Sequence, residues 1–253
     1  MKLFLKIKFD GTRYAGYQVQ NNAPTIQQAL NHAVNDLFGH RCDVTGCSRT
    51  DAGVHAECFC ATVQDHVGPS LNTNIPCERI PQALNVRLPY DISVFHAEFV
   101  PDSFHARYDV ACKTYEYRIL NSKYRDPFFN NKAYHYSKYI DLNALNSMQS
   151  AAEYLCGEHD FTAFMASGSK VTDAVRTVYA CDVKRDGDMV IIRISANGFL
   201  YNMVRIICGT LLEVSKGVFR PNDIEKIIAS KARKNAGPTL PPNGLYLVEV
   251  KYN

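Results

Sequence analysis

Lys2-Leu-Phe-Leu-Lys-Ile-Lys-Phe9, followed by Asp10-Gly-Thr-Arg-Tyr-Ala-Gly-Tyr-Gln-Val-Gln20, decides how this chain starts to fold. Leu3, Leu5, Ile7 and Phe9 recur at period two, which places them on one face of a β-strand. Asp10-Gly11-Thr12 then turns the chain into a polar, aromatic loop that runs to Gln20. After Pro24, the residues Ile26, Leu30, Ala33, Val34 and Leu37 recur at helical spacing until Gly39 ends the pattern. The unit of organisation is strand, loop, helix.

Further along, Cys58 to Val63 alternates as a strand, Glu78 to Leu84 reads as a short helix, and Ile92 to Phe99 returns to strand, with Ile92, Val94 and the ring of His96 on one side. A second unit begins near Phe104-His-Ala-Arg107. Thr114 to Leu120 predicts a strand, a charged loop occupies Asn121 to Asn131, and Leu142, Leu145, Met148, Ala152 and Leu155 mark an amphipathic helix. Val175 to Val183 and Met189 to Ser195 flank Lys184-Arg-Asp-Gly-Asp188, a strong hairpin signal. Phe199 to Val214 is apolar at helical spacing, Asp223 to Ala229 is a further short helix, and Leu245 to Val250 closes as a strand. The expected class is α+β: two similar α/β-sandwich halves, 1–103 and 104–253, with a mostly antiparallel sheet. They are expected to share one sheet or a close interface, with a cleft between them.

The 253 residues, 46% of them hydrophobic, suffice for a substantial core. Lys plus Arg total 28 against 25 Asp plus Glu, giving +3. That balance permits a nucleic-acid partner without requiring one. The nine cysteines contain no Cys-x-x-Cys pair and no companion His pair, so neither a disulfide framework nor a structural zinc is favoured. The alternating Lys residues at the start differ from the apolar core of a signal peptide, and no apolar run approaches the roughly 18 residues of a membrane span. A soluble cytoplasmic protein without a membrane association is expected.

In Ser48-Arg-Thr-Asp-Ala-Gly-Val-His55, Arg49 and Asp51 flank a hydroxyl and precede two small residues. Backbone can approach a ligand closely there, beside a carboxylate and a guanidinium. Read alone, such a loop is most often an ordinary turn in which Asp51 caps an amide and Arg49 makes a surface ion pair. Its company changes the reading. The run Arg49-Thr-Asp-Ala-Gly-Val-His-Ala56 closely resembles the signature of the tRNA pseudouridine synthase A family. Phe9 to Gln20 is similar to that family's first motif. Phe104-His-Ala-Arg107 with Tyr115-Glu-Tyr117 resembles its middle one, and Phe199-Leu-Tyr-Asn-Met-Val-Arg205 with Gly209 its late helix. His159-Asp-Phe161 and Gly244-Leu-Tyr-Leu247 are similar as well. One departure is Tyr17, where the family usually has Trp.

The resemblance implies an isomerase that detaches uracil from its ribose, turns it and rejoins it through carbon 5 in the anticodon arm of tRNA, at positions 38, 39 and 40. It needs no metal and no cofactor, which agrees with the lack of metal-ligand spacing, a P-loop or a dinucleotide glycine motif. By motif, Asp51 is the nucleophile, acting on a flipped-out base in a pocket that excludes water. Desolvation would protonate such a carboxylate, so a cation must keep it ionised, and Arg205 is the matching candidate. Tyr115 matches the active-site Tyr that stacks on uracil or moves a proton at carbon 5. Arg49 is expected to hold phosphate, Arg107 to touch substrate, and Leu245 to pack against the nucleophile loop. His55 is either structural or an RNA contact. Further basic candidates for the cleft are Arg13, Lys113, Arg118, Lys123, Arg125, Lys170, Arg176, Lys231, Arg233 and Lys234, with Tyr14 beside them. The resemblance also implies a homodimer. The competing reading is a non-catalytic RNA-binding or chaperone protein on the same fold, which would be free to lose Asp51, Tyr115 and Arg205. A nucleoside hydrolase is disfavoured, since no aspartate cluster offers a metal site.

Overall fold

A computed structural model describes residues 1–168 and 171–253. Lys170, one of the basic candidates, lies outside them. Along the chain run β1 (Lys2–Phe9), α1 (Ile26–Phe38), β2 (Cys42–Gly46), β3 (His55–Asp65), α2 (Ile80–Asn85), β4 (Ile92–Val100) and β5 (Val110–Leu120). They are followed by β6 (Tyr134–His135), α3 (Leu142–Glu153), β7 (Gly157–Asp160), β8 (Val175–Asp186), β9 (Met189–Ala196), α4 (Met203–Ser215), α5 (Asp223–Ser230) and β10 (Leu245–Tyr252). The class is the expected mixture of helices with mostly antiparallel strands. Two compact units form: Met1–Ala111 with Tyr246–Asn253, and Cys112–Leu245.

In the first unit β1 pairs antiparallel with β3 and β4, and β2 pairs antiparallel with β3. Leu3, Leu5 and Ile7 are fully buried, as the period-two pattern predicts, and sit opposite the equally buried Val63, Ala61 and Phe59. Each of these side chains except that of Ala61 contributes roughly 1.5–3 kcal/mol through burial. Ile26, Leu30 and Val34 of α1, with Ile80 and Leu84 of α2, complete this core. Thr25 caps α1 by accepting from the Gln28 amide, and Gly39 ends it at φ 74°.

The other face of β1 is covered too, which alternation alone does not reveal. Phe4 is 3% exposed and meets the rings of Phe104 and Tyr252 edge-on, with centroids at 5.6 and 5.5 Å. Lys2 donates to the Phe104 carbonyl and Tyr252 to the Ala106 carbonyl, at 3.1 and 2.8 Å. The segment Phe104–Arg107 is thereby fastened within the first unit. β10 pairs with β3 in parallel, Tyr246 opposite His55 and Leu247 opposite Ala56. The short β2 escaped the sequence pattern because only Cys42 and Val44 supply its buried side chains.

In the second unit β5, β9, β8 and β7 follow one another in antiparallel pairs, and β6 adds a parallel bridge to β5. The Asp-Gly hairpin forms as predicted: Asp186 faces Met189, and Gly187 takes φ 55°. α4 starts at Met203, four residues later than its apolar pattern, because Leu200 accepts from the Met203 amide and Asn202 stands at φ 59°. From Ile206 to Leu212 every residue of α4 is buried. α3 packs on α4 and β8, although Leu142 in its first turn is 70% exposed. No disulfide joins any of the nine cysteines. Among the described residues, no helix is long and apolar enough to cross a membrane.

Candidate active site

The Arg49–Val54 loop joins β2 to β3. Asp51 to Val54 is a tight turn in which the Val54 amide donates to the Asp51 carbonyl at 3.2 Å, and Gly53 supplies the positive φ of 77°. Asp51 is half-buried, Arg49 exposed and Thr50 buried.

Two glycines of the opening motif let the Asp10–Tyr17 loop grip this turn by backbone. A Cβ on Gly11 would lie 2.0 Å from the Val54 carbonyl oxygen, and one on Gly16 2.5 Å from that of Thr50. Gly16 also needs φ 96°. Tyr17 donates its amide to Thr50 O at 3.1 Å, and Gly53 donates to Tyr14 O at 3.2 Å. Tyr14 and Arg13 hold the gripping loop in turn through Asp91, at 2.6 Å for each side chain's closest contact. Burial and that hydrogen bond push the Tyr14 phenol well above its ordinary pKa.

His55 is 2% exposed. Its Nδ1 accepts from the Gly11 amide at 3.1 Å, and its ring stacks on Tyr246 at 4.6 Å and 23°. Tyr246 was not singled out as a site residue, although it lies within the closing motif Gly244-Leu-Tyr-Leu247.

Tyr17, the departure from the family pattern, is a core residue. It stacks on Phe59 at 4.5 Å and 29° and leaves no room for a Cβ at Gly46, which would meet its Cζ at 2.5 Å. Its hydroxyl is buried and has no hydrogen-bond partner among the described residues, and desolvation drives its pKa up. Tyr17→Phe removes a buried polar atom and should raise the unfolding free energy by about 1 kcal/mol. A urea titration checks this; a lower midpoint would mean that the hydroxyl is satisfied.

In the second unit, Tyr115 is 6% exposed on β5 and meets Phe199 edge-on at 5.1 Å. Arg205 on α4 donates Nε–H to the Leu240 carbonyl at 2.6 Å and Nη1–H to Asn202 Oδ1 at 2.7 Å. Leu240 returns its amide to the Arg205 carbonyl at 3.2 Å. One turn on, a Cβ at Gly209 would lie 1.8 Å from Pro238 O, and Gly237 donates to Thr210 Oγ1 at 2.9 Å. The Arg205-to-Gly209 motif is thus the helix face on which residues 237–240 ride. Leu245 is buried next to Gly244, whose Cα side faces the Tyr117 ring and the Arg118 carbonyl.

Asp51, Arg49, His55 and Arg107 belong to the first unit, Tyr115, Arg205 and Leu245 to the second. Arg107 is exposed, its guanidinium 5.8 Å from the Tyr108 ring, which lies 4.2 Å from that of His105. Several basic candidates have protein partners. Lys231 pairs with Asp160 at 2.7 Å and, with Thr162, holds that carboxyl down to about 2. Arg118 pairs with Glu116, and Arg233 donates to Gly237 O and Thr239 Oγ1.

The family model described as tRNA pseudouridine synthase, an RNA-modifying class, matches residues 6–109 and 151–253. The chain belongs to that family. The matched residues include Asp51, His55 and Arg205, while Tyr115 lies outside them. Proteins named tRNA pseudouridine synthase A resemble it along nearly the whole length. The one from Thermoanaerobacter sp. strain X514 is 45% identical over 250 residues, covering 99% of both chains. That of Acetivibrio thermocellus is 44% identical over 248 residues, and that of Clostridium acetobutylicum 41% over 248, each covering 98% of both chains.

Proposed function

We propose that this protein isomerises uridine to pseudouridine in the anticodon stem-loop of tRNA, at positions 38, 39 and 40, as a cytoplasmic homodimer. Family membership across the whole chain carries the reading, and the gripped Arg49–Val54 turn gives it a mechanism. Asp51 attacks the nucleoside or abstracts its proton, the glycosidic bond breaks, and uracil rotates and rejoins through carbon 5. Arg205 supplies the cation that keeps this carboxylate ionised, and Tyr115 stacks on the base and moves the carbon 5 proton. Chemistry and the motif resemblance support both assignments. Burial of His55 between Gly11 and Tyr246 supports a positioning role for it in the turn. Arg49 and Arg107, both exposed, serve phosphate contacts, and Leu245 packs.

The test is incubation of the purified protein with an unmodified tRNA transcript, followed by nucleoside analysis of each anticodon-arm uridine. Pseudouridine should form at the three positions without any added cofactor. Affinity should fall as salt rises, with a log–log slope set by the number of phosphates contacted. Binding with no pseudouridine at any of them would overturn the proposal and favour the non-catalytic RNA-binding reading.

A further inference from the structure

Three donor atoms of different chemistry meet at the open end of the β2–β3 pair. His40 lies in the turn after α1, Cys42 opens β2 and Asp65 closes β3, with Cys42 and Asp65 paired across the strands. His40 Nε2, Cys42 Sγ and one Asp65 carboxylate oxygen all lie within 4.8 Å of one another. We propose that these three side chains form a binding site for one thiophilic divalent cation, zinc by donor preference. The reading is independent of the catalytic assignment.

Imidazole, thiolate and carboxylate are the three ligand types zinc takes, and a thiolate with a carboxylate would cancel its charge. Donors of a tetrahedral zinc stand about 3.5 Å apart, so closing the triad needs a movement on the order of 1 Å. His40, with its side chain 40% exposed, has room to make it. The imidazole and the carboxylate already have outer partners of the kind that orients metal ligands. His40 Nδ1 lies 2.9 Å from the Phe38 carbonyl, and the Asn72 amide donates to Asp65 Oδ2 at 3.2 Å. The Cys42 thiol donates to the His40 carbonyl at 3.7 Å, and the Cys42 backbone is held by its amide donating to Asn35 Oδ1 at 2.8 Å. Zinc held by three protein ligands takes water as its fourth.

Without metal, His40 Nε2 and Asp65 Oδ1 form an ordinary ion pair at 2.7 Å. Binding the cation would displace the Cys42 thiol proton and the His40 Nε2 proton to solvent, while the carboxylate stays ionised. The same strands carry a built-in comparison. His66 and Asp43 pair at 3.0 Å but have no cysteine in a metal-ligand group with them among the described residues.

The experiment uses the full, chelator-treated protein titrated with cobalt(II), then zinc. One equivalent of cobalt should give tetrahedral visible bands and a near-ultraviolet thiolate-to-metal band, and zinc should displace it and raise Tm. Cys42→Ser should lose the thiolate band, and His40→Ala should weaken binding at least about ten-fold. His66→Ala should bind as wild type. Circular dichroism of each variant checks its fold, and the wild-type Tm shift needs no variant. No thiolate band, a band that survives Cys42→Ser, or a Tm indifferent to zinc would overturn the site and leave only the ion pair.

Discussion

Asp51→Asn is expected to bind tRNA within a few-fold of wild type and to form pseudouridine on the order of 10⁴-fold more slowly, or not at all. Asn keeps the shape and accepts a hydrogen bond, so the turn closed by Val54 N–H on the Asp51 carbonyl stays intact. What is lost is the charge and the nucleophilic oxygen. Four orders of magnitude correspond to about 5.4 kcal/mol of barrier, more than any single neutral hydrogen bond contributes. Single-turnover kinetics alongside a filter-binding isotherm separates the two effects. Near wild-type turnover would remove Asp51 from the chemistry and leave the family membership standing.

Gly16→Ala should lower kcat about 100-fold while KM and tRNA affinity move little. Its Cβ would stand 2.5 Å from the Thr50 carbonyl and 3.2 Å from the Asp51 carbonyl carbon, so backbone must shift at Asp51 itself. A displacement near 1 Å at a reacting group is enough for a loss of that size. The left-handed φ of 96° adds strain, which by itself costs stability of roughly 1 kcal/mol. Gly39→Ala is the control: its φ is 74°, yet a Cβ there meets nothing within 4 Å. In a thermal melt Gly39→Ala should lose only the strain of its φ and Gly16→Ala more, and only Gly16→Ala should lose turnover. Equal activities would show that the turn yields without moving Asp51.

What was legible in the sequence was local. Period-two burial of Leu3, Leu5 and Ile7, the capped helix ending at Gly39 and the Asp-Gly hairpin each follow from neighbours in the chain. The burial of Phe4 depends on Phe104 and Tyr252, and the need for glycine at 11, 16 and 209 depends on Val54, Thr50 and Pro238. Contacts between distant residues leave no periodicity to read. The site shows the same division. Asp51 was found by the likeness of its motif, since as isolated chemistry its loop is an ordinary turn. Gly11 was read only as part of a turn and Gly16 was quoted with no role, because their function is to let two backbones touch. His55 was left between two roles, and its burial between Gly11 and Tyr246 supports the structural one.

The parallel pairing of Tyr246 with His55 has a consequence for biosynthesis. Most of the first unit is made before the second, yet its closing strand and the ring that covers His55 are made only after the whole second unit. A nascent chain therefore carries an unpaired β3 edge at His55 and Ala56 until Tyr246 and Leu247 have emerged, and the sheet next to the Arg49–Val54 turn is completed only then. Incomplete chains cannot finish that sheet, so a product truncated before Tyr246 would lack the support on which His55 stacks.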